Sequence, residues 1–343
     1  MKKAFIIFCL LSSCLIAQTD YTLSGRVCDE PSGKPLANVN FYLANSLHGA
    51  MSNDSGYYKI SGIHEGQYEV VASLIGYNTK SQVMYFDNAR QQKKDFKMSP
   101  ATYVLEGISV TAEDPKEWRN NYNLFRGLFL GKSSFAEECE IENKELIDLK
   151  WESFDILKAK AKVPVTIINN ALGYRLNCIL EDFTWDRANQ MVNYIVKPGF
   201  SLLEPKSPQD TLKWKQNRMK AYELSIERFL QSLIENDYFE KGYRIYLDQY
   251  PKAQNYAGMS SERINADDLI YKSSKSKGDE YTLKFKGFLR IEYNHETTWL
   301  RMLYPEITMD SKGNVKELIP FQVFGAWSHT GIANMLPQYF IAE

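Results

Sequence analysis

Residues 52–77 read SNDSGYYKISGIHEGQYEVVASLIGY, with Gly56, Gly62, Gly66 and Gly76 set between apolar runs. In the longest run Tyr68, Val70, Ala72 and Leu74 alternate with other positions, the period of two expected of a half-buried strand. The NDSG string is a turn signal. Asn and Asp side chains bond the neighbouring backbone, and Gly56 supplies the positive φ that closes the turn. The other three glycines are assigned the same work at the following corners. The stretch encodes shape, and nothing in it is arranged to react.

Working outward, YTLSGRV reads as a strand before it, and GKPLANVNFYLAN carries a Gly-Lys-Pro turn followed by alternation at Val39, Phe41 and Leu43. SQVMYF and KKDFKM close the set near Met98. Short alternating strands with a turn signal every 8 to 12 residues or so are the pattern of a small all-β sandwich.

Five ordered elements carry a resemblance: Gly25/Val27, Gly33 to Val39, Ser52 to Tyr58, Gly66 to Tyr68, and Gly76/Tyr77. Together they resemble the carboxypeptidase regulatory-like domain of Bacteroidetes-type exported proteins. That resemblance implies a seven-stranded, immunoglobulin- or transthyretin-like sandwich over residues 20–98. It implies no activity, because the module is attached to many unrelated proteins. Residues 99–115 read as a linker, and its LEGISVTA resembles the segment after such a domain in TonB-dependent outer-membrane receptors. The chain beyond position 115 is too short for a receptor barrel of about 22 strands. It also lacks an array of alternating strands of roughly ten residues, so the receptor reading is set aside.

The chain opens MKKAFIIFCLLSSCLIAQTD. Lys2 and Lys3 form a positive n-region, and Ala4 to Ala17 an apolar stretch too short for a membrane span of about 20 residues. We expect a signal peptide over residues 1–17, with cleavage after Ala17. The competing LSSC, residues 11–14, has the form of a bacterial lipobox and makes Cys14 the lipidation candidate. Both routes predict export, to the periplasm or the outer membrane, with no transmembrane helix in the mature chain. Cleavage at Ala17 leaves Cys28, Cys139 and Cys178. An odd count permits at most one internal disulfide, and Cys139 with Cys178 is the candidate pair. The alternative is small buried hydrophobes.

From residue 116 to 343 helices and strands mix, which predicts a larger α+β domain. Trp118, Tyr122, Phe125 and Phe129 fall at helical spacing ahead of a Gly131 cap. ELIDLKWESFDILKAKA, ALGYRLNCILEDFTW and QMVNYIVKPGF read as strands. SPQDTLKWKQNRMKAYELSIERFLQSLIEND reads as one long helix. Ser207 caps it, Pro208 sits at N1 and Asp210 completes the capping box. Its stripe is Met219, Tyr222, Ile226, Phe229, Leu230 and Leu233. YTLKFKGFLRIEYN and TWLRMLYPEITMDSKGNV follow as antiparallel strands, with a turn at Asp310 to Gly313. YNLFRGLFLGKSSFAEECEIEN, NNALGYRLNCILEDF and the closing MLPQYF extend the resemblance to the companion domain of the same exported proteins, a family without an assigned activity.

The search for chemistry returns little. With 44% hydrophobic and 24% charged residues and a net charge of −1, the sequence gives no global argument for nucleic acid. Zinc peptidases need His-x-x-Glu, but His48, His64, His295 and His329 are followed three positions on by Met51, Gln67, Thr298 and Ile332. No Gly-x-Ser-x-Gly elbow occurs, no phosphate cradle, and no cofactor or metal motif. Glu181, Asp182 and Asp186 beside Trp185 suggest a sugar cleft or a solvated strand end. Asp267 and Asp268 read as loop, and Asn53 and Asp54 as turn rather than calcium ligands. Lys213, Trp214, Lys215, Arg218 and Lys220 crowd the start of the long helix, where the macrodipole already supplies positive potential. They are the partner-binding candidates, against the alternative of pairing with Glu181 or Asp186. The expected function is a non-catalytic, exported cell-envelope binding or assembly protein, its partner an envelope protein or a surface glycan. The alternative is an envelope glycan or peptide hydrolase using a carboxylate pair in the second domain.

Overall fold

A computed structural model of the chain describes residues 20–87, 89–101, 115–249, 262–272, 280–317 and 319–340. The expected signal segment, Cys14 and most of the expected linker lie outside them.

The first strands alternate as their side chains do. They are β1 (Tyr21–Asp29), β2 (Asn40–Leu43), β3 (Gly49–Met51), β4 (Tyr57–Ile63), β5 (Gly66–Ser73), β6 (Lys80–Phe86), β7 (Gln91–Lys93) and β8 (Phe96–Met98). One sheet runs β4-β1-β7, with β8 also on β1, and the facing sheet runs β3-β2-β5-β6. Phe41, Leu43, Ile60, Tyr68, Val70 and Ala72 are fully buried between them. This is a mostly β, sandwich-like unit. It has eight strand segments where seven were expected, because β7 and β8 both pair parallel to β1, on either side of Lys94 and Asp95. Gly56 has φ +76° and a Cβ there would lie 2.4 Å from the Val27 carbonyl oxygen, so the turn excludes larger residues.

The later α+β region is built round two cores rather than one. The first gathers α1 (Pro115–Leu130), α2 (Ser134–Glu137), β9 (Cys139–Ile141), β10 (Ile147–Trp151), β11 (Ile156–Ala161), β12 (Val165–Asn169), β13 (Tyr174–Asp186) and β14 (Met191–Leu202). Its sheet runs β10-β11-β13-β12-β9, and β14 lies along the other side of β13. Phe125 and Phe129 of α1 are fully buried against this sheet.

The long helix is two. α3 (Pro208–Glu223) has the capping box of Ser207 and Asp210, and α4 (Ile226–Ile234) starts anew because the Ser225 hydroxyl accepts from the Arg228 amide at 3.1 Å. Phe229, Leu230 and Leu233 of α4 enter the second core. That core is completed by β15 (Arg244–Asp248), β16 (Glu262–Arg263), β17 (Ile270–Lys272), β18 (Glu280–Leu283), β19 (Phe288–Tyr293), β20 (Glu296–Met302), β21 (Ile307–Asp310) and β22 (Phe321–Gly325). They form a sheet β16-β15-β19-β20-β22 and a smaller one β17-β18-β21.

The three bodies are joined. The Asn45 amide donates to the Pro198 carbonyl at 2.7 Å, and the Phe200 amide donates back to Ser46 at 3.0 Å. The Tyr42 ring lies flush on Gly199, where an added Cβ would approach it to 2.7 Å. Lys197 bridges Glu69 of the sandwich at 2.6 Å and also Glu181. The final segment threads between bodies: the Gln338 amide donates to Asn45 at 2.6 Å and the Tyr339 hydroxyl to the Glu65 carbonyl at 2.6 Å.

Candidate binding surface

The basic run on α3 is not gathered on one surface. Trp214 and Arg218 are four apart, so they share the inward face. The Trp214 indole donates to the Asn170 carbonyl at 2.9 Å. The Arg218 guanidinium donates to the carbonyls of Leu172 (2.7 Å) and Gly173 (3.2 Å) and lies 4.2 Å over the Tyr174 ring. Both side chains brace the turn from β12 to β13. Lys213 pairs with Glu138, an acid the sequence reading had not named. Of the five candidates, Lys215 and Lys220 alone stay exposed with no ion-pair partner among the described residues.

The other sequence candidates are dispersed. Glu181 sits at a bulge in β13 and pairs with Lys197 rather than α3. Asp186 accepts from Asn189 at 2.7 Å, closing the β13–β14 turn and holding its carboxyl below the usual range. Asp268 accepts from the Asn265 amide, and Asn53 from the amides of Ser55 and Tyr57, so both serve local turns. Cys139 and Cys178 are free. They sit on β9 and β13, with β12 between, opposite Asn169 and Val165 respectively. Two strand spacings of about 4.8 Å put them beyond disulfide reach. Burial pushes both thiols up to about 12, so they remain protonated and unreactive at neutral pH. Among the described residues no group of three His, Cys, Asp or Glu is placed to hold a metal.

Sequence reasoning missed an edge. β14 pairs with β13 along its whole length, while its other side meets Ser46 at Gly199 and, among the described residues, no further strand. The Pro198 carbonyl and the Phe200 amide face that open side, through their bonds to Asn45 and Ser46. Backbone groups alternate sides along a strand, so Val192, Tyr194 and Val196 also present N–H and C=O outward from the sheet. Beside them Met191 and Ile195 are exposed at 38% and 45%. One sequence signal was available: Pro198 inside a strand pattern marks an edge strand.

With the fold and this edge defined, the class is a β-sandwich joined to a two-core α+β region. Residues 23–110 match the family model of the CarboxypepD_reg-like domain. No curated protein matches the chain. Among solved structures, a cohesin–X-dockerin complex from Acetivibrio cellulolyticus is similar at 18% identity and TM-score 0.20, over 23% of this chain and 56% of that one. The pilus 2b backbone protein of group B streptococcus matches at 16% and 0.21, over 24% and 42%. A DUF3823 family protein from Bacteroides ovatus matches at 10% and 0.19, over 54% and 81%. The chain thus spans less than two thirds of the first two. Among the described residues, no helix is long and apolar enough to cross a membrane.

Proposed function

We propose that the protein is an exported cell-envelope binding or assembly protein with no chemistry of its own, which receives an extended segment of a partner protein on the open side of β14. The observation that carries this reading is the edge itself. Three outward-facing residues, Val192, Tyr194 and Val196, continue a row on which the chain's own Asn45 and Ser46 already make strand-like bonds. Main-chain bonds would supply affinity, and alternate side chains meeting Met191, Asn193 and Ile195 would supply selectivity. An edge that stands open among the described residues, with apolar neighbours, is an aggregation risk that proteins ordinarily suppress, so its presence fits use. The expected signal segment supports the envelope address, and the CarboxypepD_reg-like match supports an accessory module over an enzyme core.

A photo-reactive residue placed at Asn193 in the producing cell tests the reading. We expect a covalent adduct with an envelope protein, absent when the same probe replaces Asp54. Adding Val196→Pro removes one outward N–H while sparing the bonds to β13, and is expected to cut adduct yield at least about fivefold. Equal yield with and without the proline, or no adduct at Asn193, would refute it.

A further inference from the structure

A second feature lies far from β14, on the outer face of the five-stranded sheet. Residues two apart along a strand share a face, and the register places Arg290 opposite Trp299 and Phe288 opposite Asp248. That face therefore carries Tyr246, Phe288, Arg290, Trp299, Arg301 and Phe324. Part of it is internally satisfied. The Asp248 carboxylate takes Arg290 at 3.0 Å and the Trp299 indole at 3.0 Å, while the guanidinium lies 4.0 Å over the Tyr246 ring and also meets Glu292.

At one end the balance changes. A cleft of 690 Å3 opens between the β18–β19 and β20–β21 connections, with Lys284, Lys286, Phe288, Arg301 and Tyr304 among its walls. Gly287 presses the first connection onto β15: its φ is +81°, and a Cβ would lie 2.6 Å from the Asp248 carbonyl oxygen. Three cations line this cleft. Lys284 has only Glu306, at 4.0 Å, while Lys286 and Arg301 have no acid within ion-pair distance among the described residues. Like charges gathered at a concave site repel one another, and that repulsion is relieved when an anion enters. Phe288 meets Phe324 edge to face at 5.7 Å, which fixes its ring, and Tyr304 is 37% exposed. The volume falls in the ~300–1,000 Å3 range of small-molecule sites.

We propose that this cleft binds an acidic saccharide, its carboxylate or phosphate held by Lys286 and Arg301 and a sugar face laid on Phe288 or Tyr304. A simple anion would use the cations alone, and a neutral sugar the rings alone. The two together select a ligand carrying both. The proposal does not depend on the β14 edge.

Calorimetric titration of the full chain at low salt tests it with tri-galacturonic acid, glucose 6-phosphate, neutral galactotriose and inorganic phosphate. At least one acidic sugar is expected to bind about tenfold more tightly than galactotriose and inorganic phosphate. The first two probes distinguish a carboxylate from a phosphate source. Lys286→Gln with Arg301→Gln is expected to weaken that binding about tenfold, whereas Lys215→Gln with Lys220→Gln leaves it unchanged. No binding of either acidic sugar, equal binding of inorganic phosphate, or equal loss in both double variants would overturn the proposal.

Discussion

Arg218 donates two hydrogen bonds to carbonyls of the 169–173 turn and covers the Tyr174 ring, all from one exposed-looking position on a basic helix. Replacing it with Ala leaves the Leu172 and Gly173 carbonyls without their charged donor. We expect a loss of about 2 kcal/mol in chemical denaturation. Lys215→Gln and Lys220→Gln, by contrast, are expected to shift stability by less than about 0.5 kcal/mol. That Trp214 and Arg218 share a face was legible from their spacing. That the face points inward was not, because their acceptors lie 44 and 46 positions back along the chain. The same limit hid Glu138 as the partner of Lys213. Local signals fared better. Ser207, Pro208 and Asp210 cap α3 as their order implies, since a capping box is closed within four residues.

At the scale of elements, period-two alternation exposed most strands, from Tyr68, Val70 and Ala72 in β5 to the buried positions of β13. Pairing was less legible. Nothing local says that β12 separates Cys139 from Cys178, and only Pro198 hints that β14 ends a sheet. The division of α3 from α4 was readable in principle, since Ser225 is a good cap, but the apolar stripe runs through it and favours one helix. Close packing at Gly199 yields a sharper expectation. A methyl group there must displace the Tyr42 ring from β14, so Gly199→Ala is expected to destabilise the protein by about 1–3 kcal/mol, read from its denaturation midpoint. The clash is between bodies. Tyr42 and Lys197 are 155 positions apart, beyond the reach of any local reading.

For the whole molecule, the junction between sandwich and final segment carries a pH dependence. His48 and His64 lie 5.9 Å apart by ring centroids, and His64 lies 4.8 Å from Tyr339. Burial holds both imidazoles below their usual value; for His48, His64 adds to the lowering, and for His64, Lys312 does. Asp20 opposes the shift at both, and Asp310 at His64. The native state therefore keeps them neutral while the unfolded chain protonates near pH 6.5 or so. Their stabilising effect is present above that pH and is lost as pH falls through the lower native values. Thermal unfolding should show a drop in Tm between pH 7 and pH 5 that His48→Asn with His64→Gln largely abolishes. An equal drop in that variant would assign the effect elsewhere.

The account rests on one side of β14 standing open within a tightly joined molecule. Residue-resolved amide exchange of the purified chain reads this directly. The amides of Val192, Tyr194 and Val196 are expected to exchange fast, and those of Asn193 and Ile195 slowly, because only the latter bond to β13. Slow exchange at all five would mean that the edge is already covered, and would contradict the account.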